Sequence, residues 1–127
     1  MFDELKTSTM KCIIIDDEET SRVVIEFYCN KLDGVEVLEM FSNATDAINF
    51  LKCNTVDVVF LDVHMDGVSG FELLQTIIDP PRVILTTSDK SLATDAFNFD
   101  CIVDYLVKPI EFSRFKKAVD IQASYMH

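Results

Sequence analysis

The sequence lacks an apolar run of the roughly 20 residues needed to cross a bilayer, and its first ten residues show no apolar block of the kind found in secretory signals. Basic residues are also scarce, because eleven lysines and arginines stand against 22 aspartates and glutamates, a formal charge of −11. Such a charge repels nucleic-acid phosphates and disfavours direct nucleic-acid binding. We therefore expect a cytoplasmic protein without a membrane partner, which contacts cations or basic surfaces of other proteins.

A metal-binding or disulfide pattern of cysteines is missing too. The cysteines stand at 12, 29, 53 and 101, without CxxC spacing, and a chain of 127 residues is long enough to build a core without disulfides. Hydrophobic residues make up 49% and charged residues 26%, as in a globular protein. No repeat or compositional break divides the chain. We predict one domain over 11–127, preceded by an N-terminal extension over 1–10.

Short apolar runs alternate with segments of helical periodicity five times along the chain. The runs are unbroken, which is typical of strands buried on both faces of a parallel sheet. We predict strands at 12–15, 35–38, 58–61, 83–85 and 102–106. We predict helices at about 19–31, after a cap at Ser42 or Asn43, through Leu73 to Ile77 before Asp79 and two prolines, at about 92–97, and after Pro109. The expected fold is α/β, with helices on both faces of the sheet.

Polar residues stand where these strands end, which is where open parallel sheets place their functional sites. They are Asp16 and Asp17 after the first strand, Asp62 after the third, Thr86 and Thr87 after the fourth, and Lys108 after the fifth. Three converging carboxylates raise one another's pKa values unless a cation is present, and Mg²⁺ prefers oxygen ligands. We infer that Asp62 attacks a phosphoryl group, whose charge the metal and Lys108 stabilise while the Thr87 hydroxyl binds one of its oxygens.

The motifs Ile15-Asp16-Asp17-Glu18, Leu61-Asp62, Leu85-Thr86-Thr87 and Tyr105-Leu106-Val107-Lys108-Pro109 resemble those of the response regulator receiver family of two-component systems. The spacings are 45 residues from Asp17 to Asp62, 25 from there to Thr87 and 21 from there to Lys108. Their order is more specific than any single motif, and the resemblance covers almost the whole chain. It implies a flavodoxin-like (βα)5 three-layer sandwich with strand order 2-1-3-4-5.

The resemblance implies a role for each of these residues. Asp62 would be the phospho-acceptor, and Asp17, Asp62 and the backbone carbonyl of His64 would bind Mg²⁺ directly, with Asp16 reaching it directly or through water. Thr87 and Tyr105 match the switch pair of the family, in which the aromatic ring packs inward once the hydroxyl moves toward the phosphoryl group. The Lys108–Pro109 peptide bond is expected to be cis, as it usually is in the family.

Partners also follow from the resemblance. A sensor histidine kinase would dock on the first helix and the loop near Pro109, and a homodimer would form through the fourth helix, fifth strand and fifth helix. Thr86-Thr87-Ser88 and Asp104-Tyr105-Leu106 are similar to receivers of LytTR-type regulators, which usually continue into a DNA-binding domain. The chain is then either a stand-alone receiver or an excised fragment of such a transcription regulator, and we favour the fragment. We expect a switch rather than an enzyme, which assists its own phosphorylation and dephosphorylation.

The chain departs from the family pattern near Asp62. Many receivers have proline four residues after the acceptor, where this chain has Asp66. His64 and Asp89 occupy variable positions that border the path of the attacking water in the family. Our hypothesis is that these two side chains tune the lifetime of the phosphorylated state.

Other functions remain as alternatives. A phosphatase of the haloacid dehalogenase class would need an acid at His64 and length for a cap domain, and a flavodoxin-like redox protein would need a phosphate loop where Asp16 and Asp17 stand. Those two aspartates could instead simply cap the first helix. A pseudo-receiver, acting as a phosphorylation-independent interaction module, stays open because of Asp66 and His64.

Overall fold

The computed structural model describes residues 9–65, 67–92 and 98–126. Within them a five-stranded, all-parallel sheet has the strand order β2-β1-β3-β4-β5. The strands are β1 Met10–Ile15, β2 Val35–Phe41, β3 Val58–Asp62, β4 Arg82–Thr87 and β5 Ile102–Val107. The predicted architecture and strand order are confirmed.

A helix lies between each strand and the next, and a further helix follows β5. The helices are α1 Glu19–Asn30, α2 Ala44–Cys53, α3 Gly70–Gln75, a 3₁₀ helix Lys90–Leu92 and the C-terminal helix Phe112–Ala123. The helix predicted at 92–97 falls almost entirely on 93–97, which lie outside the described residues. No helix of the described ranges is both long and apolar enough to span a membrane.

Two core layers lie on opposite faces of the sheet, because successive side chains of a strand point to opposite faces. Ile14, Phe60 and Ile84 pack with Phe115 of the C-terminal helix in one layer. Within it, the rings of Phe60 and Phe115 stack at 5.3 Å between centroids. The second layer consists of the alternate strand residues and side chains of α2 and α3, such as Leu73. Because each central strand is buried on both faces, its sequence is an unbroken run of apolar residues.

Several boundaries differ from the prediction. β1 begins two residues earlier, and β2 continues to Phe41. Of the two possible caps of α2, Asn43 is the one that caps, since its side chain accepts a hydrogen bond from the Asp46 N–H at 2.9 Å. The predicted extent of α3 was wrong. The helix begins at Gly70, ahead of the predicted Leu73, and it stops at Gln75 instead of continuing through Ile77 toward the prolines.

The early end of α3 has a local cause. The Thr76 hydroxyl donates to the Leu73 carbonyl at 2.7 Å, and the Thr76 N–H bonds to the same carbonyl at 3.0 Å. These bonds close the last turn. Asp79, which precedes the first proline, has a φ of 57°, and a residue before proline is disfavoured in the helical region.

Candidate functional site

The carboxyl ends of β1, β3, β4 and β5 meet at one edge of the sheet. Asp16 follows the last residue of β1, Asp62 is the last residue of β3, and Lys108 follows the last residue of β5. The Asp16 N–H bonds to the Phe41 carbonyl of β2, at 3.0 Å, which continues the backbone pairing beyond β1. The sheet therefore brings together side chains that are far apart in the sequence.

Three carboxylates form a compact cluster at this edge. Asp16, Asp17 and Asp62 each offer an oxygen, and these oxygens all lie within 4.8 Å of one another. Asp16 and Asp62 are buried and Asp17 is half-buried. Buried like charges at this separation repel strongly. An all-oxygen donor set of this kind fits a hard divalent cation.

The Lys108 ammonium neutralises part of this charge. Its Nζ lies 2.9 Å from Asp16 Oδ2, 3.3 Å from Glu18 Oε1 and 3.5 Å from Asp62 Oδ1. Burial lowers the Lys108 pKa, but the hydrogen bond to Asp16 and the charges of Asp16 and Asp62 outweigh it, so the pKa is raised overall. Lys108 therefore carries its positive charge throughout the physiological pH range. The Lys108–Pro109 bond is cis, as the resemblance implied.

Asp62 has an unusual acidity. Burial raises its pKa to about 6, and the negative charges of Asp16 and Asp17 act in the same direction. Lys108 and the His64 backbone N–H, which donates to Asp62 Oδ1 at 3.4 Å, act against them. At pH 7 the carboxylate is still mostly ionised, as a nucleophile must be, yet it is poorly solvated and less stabilised than an ordinary aspartate.

Thr87 and Tyr105, the predicted switch pair, lie on neighbouring strands. Leu85 pairs with Tyr105, and Thr87 lies two residues after Leu85 on the same strand. The Thr87 and Tyr105 side chains therefore lie on the same face of the sheet. Thr87 is buried, and its hydroxyl accepts the Asp89 N–H at 3.0 Å. The Tyr105 side chain is 39% exposed, so the ring is not packed inward in this structure.

His64 and Asp89 are both exposed, on the loops that follow β3 and β4. The Asp89 pKa is lowered by hydrogen bonds from the Ser91 side chain and backbone, and by the charge of His64. Asp66, the departure from the usual proline, is outside the described residues.

Three contributors to the site were not predicted from the sequence. The Arg22 side chain donates to the Asp16 carbonyl at 2.8 Å, Glu18 shares Lys108, and Gly70 packs α3 against the end of β3. A Cβ at Gly70 would lie 2.6 Å from the Asp62 carbonyl oxygen. A sequence signal for that helix start was available, because Ser69 and Glu72 form a capping box with hydrogen bonds of 3.1 Å each.

Fold and site together define a receiver-type phosphorylation domain, and comparison with known proteins agrees. Residues 12–120 match the model of the response regulator receiver domain family. The chain therefore belongs to that family. It is 35% identical over 114 residues to the sensory transduction protein LytR of Staphylococcus haemolyticus, covering 87% of this chain and 44% of that protein. For the transcriptional regulatory protein LytR of Staphylococcus aureus the identity is 32%, with 87% and 46% covered.

Solved structures show the same likeness. The response regulatory domain of MrkE from Klebsiella pneumoniae superposes with a TM-score of 0.83 at 28% identity, covering 92% of this chain and 98% of that one. A response regulator receiver domain protein from Clostridium thermocellum gives a TM-score of 0.76 at 32% identity, with 91% and 95% covered. The chain spans less than half the length of the LytR proteins that it matches.

Proposed function

We propose that this receiver domain, over 11–127, takes a phosphoryl group from a phosphorylated histidine kinase onto Asp62 in a Mg²⁺-dependent reaction, in the cytoplasm. The observation that carries the proposal is the placement of Asp62: buried, within 4.8 Å of oxygens of Asp16 and Asp17, and 3.5 Å from the Lys108 ammonium. No observation favours a phosphorylation-independent interaction module.

In the proposed reaction an oxygen of the Asp62 carboxylate attacks phosphorus. The new O–P bond forms as the P–N bond of the phosphohistidine breaks, and the electron pair of that bond stays on the imidazole nitrogen, which then takes up a proton. The Lys108 ammonium lies 3.5 Å from Asp62 Oδ1, so it would reach the phosphoryl oxygens and balance their charge during the transfer. Because Asp62 is the last residue of β3, the strand fixes its backbone at the site, and little backbone reorganisation is needed.

The metal would be held by Asp16, Asp17, Asp62 and the His64 backbone carbonyl. Mg²⁺ bound there would offset the negative charge of the carboxylates and of the phosphoryl oxygens. The protein itself buries Asp16 and Asp62 and keeps Lys108 ionised through Asp16. In this sense the domain assists its own phosphorylation and dephosphorylation.

The signal would leave the site through Thr87 and Tyr105. The Thr87 hydroxyl now hydrogen bonds with the Asp89 backbone, and it would exchange this partner for a phosphoryl oxygen. The space that it leaves would admit the Tyr105 ring. The altered surface of β5 and the C-terminal helix would then form a homodimer. The output would be a DNA-binding transcription domain, as the name of the Staphylococcus aureus relative suggests.

The kinase would dock on α1 and the loop near Pro109. Val24, Tyr28 and Ile110 help to line a groove of about 280 Å³ there, and Phe27 beside it is 58% exposed although apolar. Phe27→Ala should slow phosphoryl transfer from the kinase but leave the reaction with the small donor phosphoramidate unchanged. Equal slowing with both donors would contradict docking at this surface.

Incubation with Mg²⁺ and phosphoramidate, followed by intact-mass measurement, tests the proposed function. The protein should gain the mass of one phosphoryl group, and Asp62→Asn should gain none. Asp120→Asn is the matched control, because Asp120 is an exposed aspartate of the C-terminal helix and should be labelled normally. If the unaltered protein gains no mass, or if Asp62→Asn is labelled as well, the proposal fails.

A further inference from the structure

Thr86 holds a buried hydroxyl that the proposed reaction has not used. Its side chain is 1% exposed, and within the described ranges Thr86 Oγ1 is a buried side-chain oxygen without a hydrogen-bond partner. A buried polar group that gives up water and finds no partner destabilises the folded state. Valine has a similar shape, is equally suited to a strand and would avoid this loss. Folding stability therefore does not account for the hydroxyl.

The sheet register puts this hydroxyl beside the acceptor. Asp62 pairs with Thr86 between β3 and β4, and Thr86 pairs with Leu106 between β4 and β5. Paired residues of neighbouring strands point to the same face and lie next to each other. Leu106 has no polar side-chain atom. The side-chain acceptor adjacent to Thr86 along the sheet is thus the Asp62 carboxylate.

Asp62 is also short of strong donors. Two contacts described above reach its Oδ1, the His64 N–H at 3.4 Å and Lys108 at 3.5 Å, and both are long for hydrogen bonds. Lys108 is further shared with Asp16 and Glu18. When Lys108 turns toward the phosphoryl oxygens during transfer, its interaction with the Asp62 carboxylate weakens further. A neutral hydrogen-bond donor on the adjacent strand can then take the place of Lys108.

We propose that Thr86 is a positioning residue, whose hydroxyl donates a hydrogen bond to the Asp62 carboxyl group during phosphoryl transfer and keeps the attacking oxygen aligned with phosphorus. This role rests on the proposed phosphorylation of Asp62. The backbones of β3 and β4 are already joined at this level by the Val63 N–H to Thr86 carbonyl bond of 3.1 Å, which holds the two residues side by side.

The test compares three substitutions under Mg²⁺ and phosphoramidate. Thr86→Val, which keeps the shape and removes the hydroxyl, should lower the maximal phosphorylation rate about tenfold, equal to about 1.4 kcal/mol in the barrier. Thr86→Ser keeps the hydroxyl and should stay within about twofold of the unaltered protein. The Mg²⁺ concentration that gives half the maximal rate should not change, because Thr86 is not among the clustered carboxylates.

A merely structural Thr86 would behave differently. Thr86→Val would then unfold at a higher urea concentration and react at the unaltered rate, which overturns the proposal. It is also overturned if Thr86→Ser is as slow as Thr86→Val. Should Thr86→Val fail to fold, the ratio of the Thr86→Ser and Thr86→Ala rates decides, with a ratio near one against the proposal. If the unaltered protein takes no phosphoryl group at all, it is the proposed function that has failed.

Discussion

The Lys108 ammonium donates a hydrogen bond to the buried carboxylate of Asp16, with 2.9 Å between Nζ and Oδ2. The lysine lies farther from Asp62, at 3.5 Å, although both carboxylates are buried. A single cation therefore serves several carboxylates, and the cluster keeps an excess of negative charge. Any change that removes charge from Asp62, or that adds a cation, should stabilise the folded domain.

Asp62→Asn should raise the free energy of unfolding near pH 7 without Mg²⁺. The Asp62 pKa rises from an ordinary 3.8 to about 6 on folding, so the folded state disfavours the ionised form. The ionised Asp62 therefore lowers the free energy of unfolding. By linkage, this destabilisation is fully present above about pH 6 and absent below pH 3.8, where the acid is protonated in both the folded and the unfolded state. We expect a gain on the order of 2 kcal/mol near pH 7, shrinking toward zero near pH 4.

Urea unfolding of the two proteins in EDTA, at both pH values, measures this difference. Asp120→Asn is the control, since Asp120 is exposed and pairs with the exposed Lys116 at the helix surface, and its effect should stay within about 0.5 kcal/mol. An Asp62→Asn gain of the same size at both pH values would show that charge at Asp62 is not its cause.

Mg²⁺ should stabilise the domain against thermal unfolding. At a Mg²⁺ concentration tenfold above its dissociation constant, the expected gain is about 1.4 kcal/mol. Asp17→Asn removes one carboxylate of the cluster and should weaken this response strongly. Asp46→Asn, in the first turn of α2, should respond as the unaltered protein does. An equal thermal shift in all three proteins would mean that Mg²⁺ binds elsewhere, and chelation by EDTA should reverse the shift.

Gly70→Ala should disturb both stability and phosphorylation. The added Cβ would lie 2.6 Å from the Asp62 backbone carbonyl, so α3 or the end of β3 must shift. We expect a loss of about 1–3 kcal/mol in urea unfolding and slower labelling with phosphoramidate. Ser69→Ala is the comparison, because it removes the cap of the same helix at a cost of about 1 kcal/mol. That variant should be labelled at the normal rate, and equally slow labelling of both would assign the effect to helix stability alone.

The Tyr105 ring should become buried on phosphorylation. The chain contains no tryptophan, so Tyr105→Trp provides a single fluorescent reporter at a site that is now 39% exposed. Its emission should shift to shorter wavelength after Mg²⁺ and phosphoramidate are added. Tyr125→Trp, at a position that is 70% exposed, should show no shift. An unchanged spectrum of Tyr105→Trp, in protein that mass measurement shows to be phosphorylated, would contradict the switch.

His64 and Asp89 should set the lifetime of phosphorylated Asp62. Both are exposed on the loops beside Asp62 and Thr87, so their side chains can admit or exclude the attacking water. We expect His64→Ala or Asp89→Ala to change the dephosphorylation rate by about tenfold, equal to about 1.4 kcal/mol in the barrier. Decay of the phosphorylated mass after donor removal measures the rate, and exposed Lys52 of α2 offers a neutral comparison through Lys52→Ala. If both variants decay at the unaltered rate, the hypothesis is wrong.

Much of the fold could be predicted from the sequence because its signals are local. Strands buried on both faces need unbroken apolar runs, and each run is bounded by turn residues or a helical stripe. Parallel strands end at a common edge, so the order of Asp16, Asp62, Thr87 and Lys108 along the chain predicted which side chains would gather there. The assignment of Thr87 and Tyr105 as a switch pair came from the resemblance to the receiver family, and it stays a prediction.

Other features were decided only by the tertiary structure, because they depend on contacts between distant segments. Lys108 and Asp16 are 92 residues apart in the sequence, and nothing local shows that this carboxylate, rather than Asp62, receives the short hydrogen bond. Likewise, Gly70 is required by the approach of α3 to the Asp62 carbonyl, and the sheet register places Thr86 between Asp62 and Leu106. Residue type and spacing determine which groups reach the site, whereas packing determines their distances, burial and acidity.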